Sequence, residues 1–423
     1  MLHYHRHLTQ AVERALDATP VVVITGPRQS GKSTLAAEVV GAREARAVTL
    51  DDPAQRALAE NDPTGLAESS DGLLLIDEFQ KAPAVLDAIK SRIDRRRLAG
   101  EDASGIYLLT GSANIWASLQ VSESLVGRAS RIQLWPLSQG ELNYGAQPEN
   151  FLQRLFAADP PHLTDRSPRR SLISRQVTMG GFPILSSLAD DEARRRWLAD
   201  YAQMSMERDA RDVVPRARQL DELPDLFRLA AARPCTIVEP TTMAKAIGMK
   251  KDSVRRYLNV LEALYLVRRA PAWSADIGRQ VIKSPKLWLT DTGLASQTIG
   301  LSAERFENDT GALGGGMFEN FVAMELVKQA SFTAPELRFF HFKAGSGHEV
   351  DIVIERPDGT IVGIEVKLSA TPSPADFKGL KLLRDKLGDR FAAGAVVGLN
   401  PDTIPYGDRL WALPVEALWT AEP

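Results

Sequence analysis

Between Val21 and Thr34 the chain reads VVVITGPRQSGKST: a β-branched apolar run, then Gly26, four residues, and Gly31, Lys32 and Ser33. This is G-x-x-x-x-G-K-[ST] with a strand pattern before it and a helix pattern after it. Such a segment (Gly26, Pro27, Arg28, Gln29, Ser30, Gly31, Lys32, Ser33 and Thr34) can curl so that main-chain N–H groups face a phosphate. The positive end of the following helix adds to the attraction. Lys32 would reach the β- and γ-phosphates of ATP, and the Ser33 hydroxyl would ligate Mg2+. A glycine-rich turn matching by accident is the alternative, and the flanking strand and helix argue against it.

Leu73 to Ile76 form a second apolar run, and it leads into Asp77 and Glu78. An acidic pair at the end of a buried strand supplies what a hydrolytic nucleotide site still lacks. Asp77 would hold Mg2+ through its water shell, and Glu78 would orient or deprotonate the attacking water. After a third run, Thr110-Gly111-Ser112-Ala113-Asn114 offers a polar side chain between the acidic pair and the γ-phosphate; Ser112 is the first candidate and Asn114 the second. Arg128, in LVGRAS, lies where a neighbouring subunit's cation would approach the transferred phosphoryl. A plain surface arginine is the competing account.

A separate group of charged residues occurs near the C-terminus, with Asp351 in GHEVDIVIE and Glu365 and Lys367 in IVGIEVKLS. Alternation along a strand sets Asp351 opposite Val350, Ile352 and Ile354, and Glu365 with Lys367 opposite Val362, Ile364 and Val366. On adjacent strands these three would meet, and Glu319 from the preceding helix would close the cluster. Carboxylates around a hard cation, with a lysine to stabilise an oxyanion, suit metal-assisted phosphodiester hydrolysis. A solvated cross-strand Glu/Lys pair is the plainer reading of the same residues.

The elements needed to position these groups are legible in outline. Residues 6–18 predict a short amphipathic helix. Val21–Thr25, Ala47–Leu50, Leu73–Ile76, Ile106–Thr110 and Arg131–Leu134 are short apolar runs separated by helical patterns, which predicts a parallel sheet covered on both faces. From Pro136 to about Arg218 the pattern is helical and charged, with a Pro- and Asp-rich linker at 159–168. Thr241/Thr242 and Asp252 are candidate caps of two short helices that meet near Gly248. With Leu266–Arg269 and Val281–Leu289 as a hairpin, they make a winged helix-turn-helix. Residues 240–289 hold ten Lys/Arg against three acidic residues. Lys250, Lys251, Arg255 and Asn259 would line the second helix toward nucleic acid, although a wing that packs on protein fits the pattern too. Gly311–Gly316 reads as a break. A helix (Met317–Ala330), three strands, a helix and a strand follow it.

With 423 residues the chain has room for several cores, and a net charge of −3 excludes a globally basic nucleic-acid binder. The single cysteine, Cys235, reads as a buried small hydrophobe. No apolar run reaches the ~18 residues of a membrane span and the N-terminus has no apolar signal core, so the expected location is cytoplasmic. His3, His5 and His7 alternate and could pick up a metal ion, but a disordered or helix-flanking tail is the expected reading.

The order GPRQSGKST, LLLIDEFQKAP, LLTGSAN, LVGR, PLSQGEL and GGFP resembles a prokaryotic family of AAA+-type ATPases. In that family the ATPase core is followed by a winged helix and a domain of unknown function resembling PD-(D/E)xK nucleases. The resemblance implies an α/β chain in four parts. A parallel-sheet AAA+ P-loop core spans 1–136, a helical lid 137–220, a winged helix 221–300 and a restriction-endonuclease-like domain 301–423. It implies ATP and Mg2+ as cofactors and homo-oligomers in rings or partial rings, the hexamer among them, with Arg128 as the finger. Val350 stands where the nuclease pattern has proline, and no sensor-2 arginine is identifiable between Pro136 and Arg218. The primary expectation is an ATPase coupled to a nucleic-acid-binding, DNA-cleaving C-terminal half. The rivals are an ATP-driven switch on a protein partner with an inert nuclease-like domain, and a slow nucleotide-binding regulator.

Overall fold

Val21, Val22, Val23 and Ile24 are all fully buried, because strand β1 (Val21–Thr25) runs through the inside of a sheet rather than along its edge. The sheet has five strands in the order β2-β3-β4-β1-β5. Its other members are β2 (Ala45–Thr49), β3 (Leu73–Asp77), β4 (Tyr107–Gly111) and β5 (Ala129–Gln133). Every pairing is parallel. Burial follows position: β1 and β4 are wholly buried, whereas the outer strands β2 and β5 are partly exposed. Helices α1 (Thr9–Ala18), α2 (Lys32–Gly41) and α3 (Val85–Leu98) accompany the sheet. Parallel strands put all their C-terminal ends on one edge, so the loops after β1, β3 and β4 gather there.

The computed structural model describes residues 4–41, 43–112, 125–143, 150–164, 170–213, 220–275, 284–334, 336–344 and 347–420. The chain divides into two units. One is His5–Pro136 with Ala263–Tyr265, and the other holds Leu137–Glu262 and Leu266–Pro423.

In the second unit, α4 (Pro240–Ile247) ends at Gly248, which has φ of 71°, and α5 (Lys251–Ala263) follows. The left-handed turn is one glycine adopts at little cost. Neither expected cap holds. Helix α4 starts on Pro240, whose missing N–H costs nothing at a helix start, and Thr242 donates instead to the Glu239 carboxylate at 3.1 Å. Asp252 lies inside the first turn of α5. Strands β6 (Val267–Ala270) and β7 (Lys286–Leu289) pair antiparallel, Ala270 opposite Lys286. Of the expected second wing strand, Ser284 and Pro285 are not in strand and Val281 to Lys283 lie outside the described residues, as does Arg279 before it.

The glycine-rich stretch 311–316 is not a break. Helix α6 runs unbroken from Ala312 to Thr333. Asp309 accepts the N–H groups of Gly311 (2.6 Å) and Gly314 (3.1 Å), which satisfies the start of the helix. A Cβ on Gly316 would lie 2.9 Å from the Pro234 carbonyl oxygen, so close packing accounts for that glycine. The expected linker also carries structure: Leu163 is buried and exchanges main-chain and side-chain bonds with Thr403.

Beyond α6 lie β8 (Arg338–Lys343), β9 (Glu349–Glu355), β10 (Ile361–Val366), helix α7 (Lys378–Leu387), β11 (Phe391–Gly398), β12 (Ile404–Pro405) and β13 (Leu410–Pro414). They form one sheet in the order β12-β13-β11-β10-β9-β8. Strands β8, β9 and β10 are antiparallel neighbours, and β11 joins β10 in parallel after the crossover through α7.

Candidate functional site

The loop after β1 is held by features that only certain residues permit. A Cβ on Gly26 would lie 2.0 Å from the Leu134 carbonyl oxygen, so no larger residue fits there without displacing the main chain. Gly31 has φ of 93° and Gln29 φ of 61°, both in the left-handed half of backbone space that a phosphate-cradling turn uses. Ser30 Oγ donates to Pro27 O at 2.9 Å and closes the turn. The buried Lys32 ammonium donates to Gly26 O (3.1 Å) and Pro27 O (2.8 Å). Burial lowers its pKa to about 8, against the opposing pull of Glu78 and Asp77. Arg28 is half-buried on the same turn, while Ser33 and Thr34 are exposed in the first turn of α2.

The acidic pair lies beside this loop. Ser33 Oγ donates to both Asp77 carboxylate oxygens, at 3.0 and 3.1 Å. Thr110 Oγ1, opposite Asp77 in the β3–β4 ladder, donates to Oδ1. A hydroxyl and a carboxylate in contact, without thiolate or imidazole, is donor chemistry that fits Mg2+. Glu78 has φ of 55°, an uncommon conformation for a glutamate that costs ~1 kcal/mol or more. Its Oε2 accepts from Ser112 Oγ at 2.9 Å and from the Gln80 amide. Gln80 Nε2 also lies 3.3 Å from Ser112 Oγ. Ser112 thus sits against Glu78, and Asn114 lies outside the described residues.

Arg128 is tied to its own chain. Its guanidinium donates to Asp94 through Nε (2.9 Å) and Nη2 (2.7 and 2.9 Å), a fork on α3. Sequence reasoning missed Arg6. Arg6 is buried and donates to Ser30 O (2.6 Å) and Trp135 O (2.7 Å), bracing the phosphate loop from below. Nothing in HYHRHL marks it. The histidine tail is correspondingly not a free one, since His7 is buried and His5 Nδ1 lies 3.6 Å from Glu38.

In the second unit the predicted carboxylates are brought together with two lysines. Lys286 Nζ donates to Glu319 Oε1 at 2.6 Å and Asp351 Oδ1 at 3.2 Å. The other Asp351 oxygen accepts the Val366 N–H at 3.0 Å. Glu365 Oε1 is bound by Lys367 at 2.7 Å. Burial and the neighbouring Asp351 charge push both Glu319 and Glu365 up to about 8. Among the described residues no group of three or more His, Cys, Asp or Glu side chains is placed to hold a metal ion. Of the expected metal set, Glu319 and Asp351 share the Lys286 ammonium, and Glu365 meets Lys367. Cys235 is buried next to this cluster, with Sγ 3.8 Å from Asn320 Oδ1, and burial followed by the Glu319 charge pushes its thiol well up. It is buried, as read.

The basic face is also smaller than composition implies. Lys245, Lys250, Lys251, Arg255 and Arg256 are exposed along α4, the turn after it and α5. Lys286 points inward, and Arg269 is bound by Glu262 at 2.8 Å and by Asn259 at 2.9 Å. Asn259 therefore braces the hairpin while remaining exposed.

Residues 18–143 match an AAA domain family, residues 170–305 a domain of unknown function (DUF8612) and residues 314–418 another (DUF4143). The phosphate loop, the acidic pair and the parallel sheet together with the first match define an ATP-binding P-loop ATPase of the AAA class. Two curated relatives, Uncharacterized protein Rv2008c of Mycobacterium tuberculosis and Uncharacterized protein Mb2031c of Mycobacterium bovis, are each 27% identical over 432 aligned positions. The alignments span 99% of this chain and 86% of each relative. Among solved structures, the Walker-type ATPase PABY2304 of Pyrococcus abyssi is 14% identical with a TM-score of 0.40, over 69% of this chain and 94% of that one. The Thermotoga maritima RuvB Holliday junction branch migration motor is 15% identical with a TM-score of 0.26, over 63% and 90%.

Proposed function

We propose that the chain is a Mg2+-dependent ATPase that self-assembles and binds nucleic acid through the exposed basic residues of α4 and α5. The observation that carries the hydrolytic part is the contact of Ser33 with Asp77 and of Ser112 with Glu78 at one sheet edge. Main-chain N–H groups of residues 28–33 bind the triphosphate, and Lys32 moves from its carbonyl partners to the phosphate oxygens. Glu78, aimed by Ser112 and Gln80, orients the attacking water and takes its proton. Mg2+ held by Ser33 and Asp77 would neutralise charge developing on the phosphates. Arg128 completes the site of a neighbouring subunit once it leaves Asp94. Segments 137–220, 221–300 and 301–423 act as lid, winged helix and nuclease-like domain. Arg128→Ala is expected to lower turnover ~100-fold or more only at protein concentrations that support assembly. Turnover measured against protein concentration checks it.

Lys250, Lys251 and Arg255 support nucleic-acid binding, because three exposed cations at one helix start suit phosphate contacts. Replacing all three with Glu is expected to weaken binding to duplex DNA of unrelated sequences alike and to cut the salt slope by about 2–3. Fluorescence anisotropy at several salt concentrations tests this, and unchanged binding contradicts it. A second reading, an ATP-driven switch on a protein partner with an inert nuclease-like domain, draws support from Lys286 among the carboxylates.

A further inference from the structure

We propose that Lys286 takes the place of the divalent cation in the Glu319–Asp351–Glu365 cluster, so that the C-terminal domain keeps the shape of a nuclease site without its metal. The geometry leaves little room for any other cation. Lys286 Nζ lies 2.6 and 3.2 Å from two carboxylates, and its side chain is 6% exposed. A magnesium ion needs oxygens at about 2.1 Å on all sides, and the ammonium already fills the space between Glu319 and Asp351. The remaining carboxylate, Glu365, meets Lys367 through Oε1, and its buried Oε2 has no hydrogen-bond partner among the described residues.

Lys286 does not reach the cluster by a chance rotamer of a surface side chain. Its strand is fixed on three sides. Ala270 of β6 pairs with Lys286 on one side, and Ile237 forms an antiparallel bridge to it on the other. Val238 N–H donates to Pro285 O at 2.8 Å, and Leu287 N–H donates to Thr236 O at 2.9 Å. From α6, the Asn320 amide accepts the Leu289 N–H and donates to the Leu289 carbonyl, both at 2.7 Å. Asn320 immediately follows Glu319, so the same helix turn that supplies the carboxylate clamps the strand that supplies the ammonium. All four β7 residues are buried. An ammonium brings one positive charge and three donors, which suits hydrogen bonding to carboxylates but not polarisation of a phosphodiester.

Nucleotide-free full-length protein titrated with Mn2+ and followed by electron paramagnetic resonance tests this independently of ATP hydrolysis. The native chain and Asp351→Asn are expected to give the same titration. Lys286→Met is expected to gain one Mn2+ site at least tenfold tighter than anything in the native chain, and Lys286→Met/Asp351→Asn to lose it again. A native site that disappears in Asp351→Asn overturns the proposal, as does a folded Lys286→Met that gains none. If Lys286→Met does not fold, the comparison of native chain with Asp351→Asn decides alone.

Discussion

Glu78→Gln is expected to bind ATP with Mg2+ as well as the native chain does and to hydrolyse it at least ~100-fold more slowly, the usual scale for losing a positioned proton acceptor. The amide keeps the size of the carboxylate and can still accept from Ser112, which bonds Glu78 at 2.9 Å. The loop that holds the phosphates is left untouched. What disappears is the negative charge that orients water and takes its proton. Single-turnover hydrolysis beside equilibrium nucleotide binding separates the two effects. Equal loss of both would mean that Glu78 supports the fold of the site rather than its chemistry.

Gly26→Ala should do the reverse and remove binding. The added methyl would lie 2.0 Å from the Leu134 carbonyl oxygen, a group fixed by donation of the Leu134 N–H to Thr25 O at 2.8 Å. Relief requires the loop to move, and with it the Gly26 and Pro27 carbonyls that now hold Lys32. The expected cost is on the order of 2–4 kcal/mol in the first unit, from overpacking and backbone strain together. Nucleotide affinity should fall by ~100-fold or more, since the amides no longer converge. Thermal unfolding and ATP titration of the same variant check both numbers, and a stable variant with native affinity contradicts the role given to this glycine.

Much of the first unit was legible because its signals are local. A buried parallel strand reads as a continuous apolar run, and the phosphate loop advertises itself through glycines at fixed spacing. All five expected strands are present within a few residues of their predicted ends. The closeness of Ser112 to the acidic pair was legible for the same reason, each residue following a recognisable strand. Arg6 was not, because its partners are main-chain carbonyls 24 and 129 residues away, and such acceptors leave no mark in side-chain patterns. Gly314 to Gly316 misled because glycine disfavours helix interiors. The cap from Asp309 and the tight approach to Pro234 outweigh that preference here.

Lys286 is the most instructive miss. By composition it belonged to a basic hairpin, and the alternation of β9 and β10 correctly brought Asp351 and Glu365 toward each other. What the pattern could not carry was the bridge from Ile237 and the Asn320 clamp, both long-range, which turn a lysine of the hairpin inward. Lys286 lies 33 and 65 residues from Glu319 and Asp351 in the chain, so no local pattern brings it to them.

Triphosphate binding by the loop at residues 26–33 underlies every step proposed for this chain. Isothermal titration of MgATP into the native chain and into Lys32→Ala tests it most directly. A one-site heat of binding in the native chain that vanishes in the variant is the expected result. No heat in the native chain, or the same heat in both, would contradict it.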